Sequence, residues 1–160
     1  MKSTLQIYFI YILPMMFWAI PCSYAGGLEK DPIIENISAE VSTAQIEKTI
    51  SDLVAFETRF PNHKQIEVAD YLYNRLKVYV PTMHFHEYKM QGVRWRNVVG
   101  TIPGKIHPDK YVIVSAHLDT KSEKRLVYAP GADDNASGCA AVMELARILS
   151  KYSFERSIRF

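Results

Sequence analysis

Apolar residues recur at helical spacing in two early stretches of the chain. Ser42 and Gln45 form an S-x-x-Q start signal, and Ile46, Ile50, Leu53 and Val54 after it make one apolar face. Asn62 and Gln65 repeat the signal, and Ile66, Ala69, Leu72, Tyr73 and Leu76 define a second amphipathic helix, which Pro81 forbids from continuing. Between Gly26 and Asn36 the chain is polar and turn-rich, predicting an extended entry. Met83 to Ile102 is rich in β-branched and aromatic residues and ends at Pro103-Gly104, predicting two strands paired as a hairpin about Gln91-Gly92. Tyr111 to Ala116 is continuously apolar, the pattern of a strand covered on both faces. Cys139 to Lys151 reads as a mostly buried helix whose narrow polar stripe is Glu144, Arg147 and Lys151. Ser153 to Phe160 alternates like a further strand, so the order predicts an α/β domain, a mixed sheet flanked by helices.

Composition narrows this picture. In 160 residues, 48% hydrophobic and 22% charged, there is material for one core, which excludes disordered and low-complexity classes. The formal net charge of +2 comes without a dense basic run, so no nucleic-acid partner is expected. Arg94-Trp95-Arg96 is read as strand surface. At the start, Lys2 precedes an apolar run from Leu5 to Ile20 and a small-residue stretch, which reads as a secretory signal cut after Ala25. Residues 1–25 are thus a signal peptide and the product is expected to be secreted or periplasmic. Pro14 and Pro21 interrupt the run, so no stable membrane anchor is expected, and Pro21 argues against lipidation of Cys22. The remaining cysteine, Cys139, lies in an apolar run and is expected in the core.

The chemistry concentrates between His117 and Gly138. His117-Leu118-Asp119 sets an imidazole and a carboxylate two residues apart at a strand end, on one side of an extended backbone. Metal-bound histidines commonly donate their other ring N–H to a carboxylate, a role open to Asp119. The run Gly131-Ala132-Asp133-Asp134-Asn135-Ala136-Ser137-Gly138 puts adjacent carboxylates in a loop entering a helix. A solvated cap by Asn135 or Ser137 is one reading of that loop. With a histidine at the neighbouring strand end, a metal is the other, since open α/β sheets form sites beyond the strand carboxyl ends.

These residues resemble the co-catalytic zinc aminopeptidases of metallopeptidase family 28, secreted bacterial leucine aminopeptidases among them. Asn97-Val98-Val99-Gly100-Thr101-Ile102-Pro103-Gly104, Ser115 to Thr120 and Pro130 to Gly138 follow the family's order and spacing, and Phe154 to Phe160 looks like its next strand. The resemblance implies a zinc exopeptidase-like phosphorylase/hydrolase fold, with residues 26–160 the N-terminal part of its catalytic domain and the sheet incomplete at the C-terminus. It implies His117 as a terminal zinc ligand, Asp134 as the carboxylate bridging two zinc ions, Asp119 as the group orienting His117, and a cis peptide from Asp134 to Asn135. Asp133 receives no role. The family's general-base glutamate and remaining ligands fall beyond Phe160, so the general base is not present in this chain. The expected activity, removal of N-terminal residues from peptides or proteins by metal-activated water, is therefore that of the complete protein, and the 160 residues alone are expected to be inactive, with Val112 and Val114 incompletely covered and a strand edge exposed.

Two rival classes remain: an inactive remnant or binding pseudoenzyme, and a single-zinc glutaminyl cyclase, against which the paired Asp133-Asp134 argues. His84 and His86 are expected on a solvated strand face and His63 and His107 in turns. Asn36 and Asn135 head formal glycosylation sequons, and a glycan on Asn135 would block the cleft.

Overall fold

The computed structural model describes residues 31–60, 63–90 and 92–160; the expected signal peptide, Cys22, Asn62 and Gln91 lie outside them. The elements run α1 (Pro32–Ala39), α2 (Thr43–Val54), α3 (His63–Leu76), β1 (Thr82–Met90), β2 (Val93–Ile102), β3 (His107–Ile113), α4 (Ser137–Leu149) and β4 (Arg156–Arg159). Among the described residues no helix is long and apolar enough to cross a membrane.

The sheet is mixed, in the order β1-β2-β4-β3. β1 and β2 form the expected antiparallel hairpin, with Met90 opposite Val93 and Gly92 at φ +79°, a conformation glycine adopts without Cβ strain. β4 lies antiparallel to β2 and parallel to β3. Gly104 allows β4 to sit close: a Cβ there would lie 2.5 Å from the Arg156 carbonyl carbon. Its N–H donates to Ser157 Oγ, which donates to the Pro108 carbonyl, so one buried hydroxyl ties the β2–β3 connection to β4.

The core joins Leu53 of α2, Val68, Leu72 and Leu76 of α3, and Cys139, Met143 and Ala146 of α4 to Ile102, Ile158 and Phe160. Val98, Val114, Ala116 and Leu118 pack against it. The opposite sheet face carries Tyr111 and Ile113, both exposed, with the Arg159 guanidinium 3.9 Å from the Tyr111 ring centroid.

Four local expectations need correction. The predicted extended entry is in part helix: Asp31 accepts the Ile33 N–H at 2.8 Å and Pro32 opens α1, a cap and N1 proline that the turn-like composition concealed. The strand expected at Tyr111–Ala116 lies at His107–Ile113 and is exposed rather than covered on both faces; it is the edge of the sheet, and among the described residues nothing packs on its outer side. His63 and His107, expected in turns, instead open α3 and β3. Glu144, on the expected polar stripe of α4, is only 5% exposed, with the Ser42 N–H donating to it from the start of α2. The apolar edge has a measurable consequence. The folded chain is expected to enhance the fluorescence of a hydrophobic dye, with less enhancement in Ile113→Lys. No enhancement, together with a sharp cooperative melt, would show that the edge is covered in solution.

Candidate metal centre

After β3 the chain leaves the sheet, its last pairing being the Val114 N–H to the Arg159 carbonyl at 2.8 Å. Three residues later His117 projects into solvent at the end of the sheet, its side chain 54% exposed. The Cys139 thiol, in the first turn of α4, donates to the His117 carbonyl at 3.3 Å. As expected from its apolar neighbours, Cys139 is buried, and burial pushes its thiol up to about 11. It is a packing group that fixes the His117 backbone.

The second half of the site is the turn over Ala132–Ala136 that feeds α4. Gly131 begins it at φ +50°, and a Cβ there would lie 2.3 Å from Thr120 Cγ2 and 2.4 Å from the Asp134 carbonyl oxygen. Glycine is thus required both by the left-handed backbone and by the close approach of the His117–Thr120 segment. The peptide bond from Asp134 to Asn135 is cis. Asn135 Oδ1 accepts the Gly138 N–H at 3.0 Å, and Ser137 Oγ donates to the Asp133 carbonyl at 2.7 Å. The capping function weighed for Asn135 is therefore real, and it leaves the exposed Asp134 side chain free to face His117.

His117 Nε2 lies 3.0 Å from Asp134 Oδ1. On the other side of the ring, Nδ1 is 3.2 Å from the Asp119 carbonyl oxygen and 3.5 Å from its carboxylate Oδ1. The main-chain carbonyl of Asp119 is thus the nearer acceptor, with the carboxylate just beyond. Either oxygen can accept a proton carried on Nδ1, the tautomer that would turn the Nε2 lone pair to a metal held between it and Asp134. Asp133 is exposed and makes no side-chain contact in this pair. Among the described residues, no group of three or more His, Cys, Asp or Glu side chains is arranged so that it could hold a metal ion. His84 and His86 are exposed on β1, where His86 stacks on Tyr88. Arg96, its side chain 16% exposed, is tied to Asp70 and Glu87.

One residue central to this geometry carried no signal in the sequence. Arg59, between α2 and α3, is fully buried. Its Nε donates to the Leu118 carbonyl at 2.9 Å, Nη1 to Leu53 and Pro130 at 3.1 and 2.6 Å, and Nη2 to Gly131 at 2.8 Å. No hydrophobic period marks a lone arginine in a connection; only the three-dimensional meeting of segments distant in sequence reveals it.

Below the site, a cavity of about 240 Å³ reaches from His117 and Asp119 down to Leu76 and Phe160. Gln65 and Trp95 line it, each with one buried polar atom lacking a protein partner, Oε1 and Nε1 respectively. Space and polarity together suit ordered water there.

The α/β fold with a mixed sheet flanked by helices matches that of zinc exopeptidase-like neighbours, among them a Zn-dependent exopeptidase of Parabacteroides distasonis with a TM-score of 0.61 at 25% identity, over 74% of this chain and 46% of that one. Residues 97–160 match the model of peptidase family M28. A probable zinc metalloprotease of Pyrenophora tritici-repentis is 29% identical over 155 residues, covering 81% of this chain and 36% of its own length. The LapA aminopeptidase of Legionella pneumophila superposes with a TM-score of 0.67 at 21% identity, over 82% of this chain and 36% of that one. A glutaminyl cyclase of Bacteroides thetaiotaomicron gives 0.62 at 23%, over 74% and 44%. The chain spans about a third of the length of the curated relatives it matches.

Proposed function

We propose that the protein is a secreted zinc aminopeptidase in which His117 and Asp134 are metal ligands and Asp119 holds the His117 ring. The observation that carries this is the facing of His117 Nε2 and Asp134 Oδ1 at 3.0 Å with Nδ1 already occupied. Two donors each about 2.0–2.1 Å from one tetrahedral zinc stand about 3.3 Å apart, close to the spacing seen. The donor types, imidazole nitrogen and carboxylate oxygen, suit zinc. Bound zinc supplies an activated water and polarises the scissile carbonyl.

The residues of this chain do the positioning. Asp119 fixes the ring, and Asp134 turns one carboxylate oxygen to His117. The exposure of both side chains leaves room for substrate and water. In the finer form of the proposal, Asp134 would be a ligand shared by two zinc ions. A catalytic zinc usually takes three protein ligands and keeps one open position, so further donors and a glutamate base are sought in the part of the relatives' length that this chain does not match. Peptide and protein N-termini are the proposed substrates, reached after signal removal near Ala25.

The test is hydrolysis by the full-length protein of aminoacyl anilides with a free amino terminus. Activity on the free amine, its loss with a chelator and its return with zinc are expected, whereas the N-acetylated substrate should stay intact. The glutaminyl cyclase among the structural neighbours provides the contrasting arm. Cyclisation of N-terminal glutamine without release of amino acids would replace the proposal.

A further inference from the structure

We propose that Arg59 is the positioning residue of the metal centre, a buried guanidinium that locks the His117 and Asp134 loops at their mutual distance. This rests on the metal reading of those two residues. The Arg59 fork reaches the carbonyl of Leu118, next to His117, and the carbonyls of Pro130 and Gly131, at the start of the turn bearing Asp134. Its own N–H donates to Thr120 Oγ1 at 2.9 Å, so main chain and side chain hold the same loop. Nη1 also reaches the Leu53 carbonyl at the end of α2, which anchors the clamp in the core.

Every one of these side-chain partners is a neutral carbonyl. A fully buried cation without a contacting carboxylate is costly unless the surrounding field compensates it. Burial lowers the Arg59 pKa, and the charges that oppose this include Asp119 and Asp134. The planar fork of Arg59 can serve three separated segments at once, whereas a lysine offers one nitrogen and cannot.

The decisive experiment compares Arg59→Lys with wild type in the full-length protein by two readouts. The first is zinc affinity from competition with a chelating dye. The second is amide hydrogen exchange in the metal-free protein across residues 117–120 and 130–136, with α3 as internal reference. The expected result is an affinity lower by about 10- to 100-fold, the usual consequence of losing a group that orients metal ligands, and faster exchange confined to the two loops. Affinity within about twofold of wild type, or unchanged loop exchange, overturns the proposal. His117→Ala is run alongside: if it binds zinc as tightly as wild type, the metal reading itself fails and loop exchange alone judges the clamp. Should Arg59→Lys lose its cooperative melt, Thr120→Val replaces it, with a shift of about fivefold expected in the same direction for one lost buried hydrogen bond and no shift counting against the clamp.

Discussion

His117→Ala in the full-length protein is expected to lower kcat/KM on aminoacyl anilides by about 10³-fold or more while leaving the melting temperature almost unchanged. A metal's charge stabilisation is worth several kcal/mol in the transition state, and each 1.36 kcal/mol is about tenfold in rate. Stability should stay within about 0.5 kcal/mol, because more than half of the side chain is in solvent. Asp134→Ala should behave alike, its side chain being more exposed still. Asp119→Ala should lose less, about 10- to 100-fold, since the Asp119 main-chain carbonyl would still hold Nδ1. Zinc content measured on each variant ties the loss to the metal. Full activity in either His117→Ala or Asp134→Ala would remove these residues from the centre.

The second large effect concerns stability and falls at Glu144. Its carboxylate accepts the Ser42 N–H at 2.7 Å and two hydrogen bonds from Arg147, at 2.8 and 2.6 Å. Ser42 Oγ in turn accepts the Gln45 N–H at 3.4 Å, so the expected N-terminal cap of α2 is completed from another helix. Arg147 continues to the Glu40 carbonyl at 2.6 Å, and the Glu40 carboxylate pairs with Lys151 and Tyr152. Glu144→Ala strands the Arg147 charge and the Ser42 N–H, an expected cost of about 3 kcal/mol. At this chain length that is a fall of about 10 °C in Tm. The Arg147 hydrogen bonds hold the Glu144 carboxyl below its ordinary 4.5. A carboxyl lowered on folding stabilises fully above its unfolded value and loses that contribution as pH falls through the lower folded one. Melts from pH ~7 to ~3 should therefore show wild type weakening below about 4.5. Glu144→Gln should start lower and fall less steeply over that window, and a parallel fall in both proteins would deny Glu144 the role.

The Glu144 network shows where sequence reading stops. Helical period placed α4 correctly and marked Glu144, Arg147 and Lys151 as one stripe, yet period does not reveal what covers a stripe. The same limit applies to β3, whose apolar run correctly announced a sheet strand but not which of its faces or edges is covered. Features governed by nearest neighbours were legible: the Gly92 turn, the Ser42 cap, the end of α3 before Pro81. So was the meeting of His117, Asp119 and Asp134 at one end of the sheet, because those residues lie in two compact motifs. Their approach to 3.0 Å depends on Arg59 and Gly131. Arg59 is silent in any local pattern, and α1 was missed because its Asp31 cap and first-turn Pro32 sit in a turn-like composition.

The strand order carries a consequence for the birth of the protein. β4 is made last among these strands but lies between β2 and β3, which do not touch one another. While the chain is being synthesised, the hairpin can close early from neighbours in sequence, yet β3 has no partner until residues 156–159 leave the ribosome. Until then β3 and the His117 loop behind it hang from the nascent chain unpaired. A translational pause before Arg156 would prolong that exposed stage, and the late arrival of four residues would trigger assembly of both sheet halves at once.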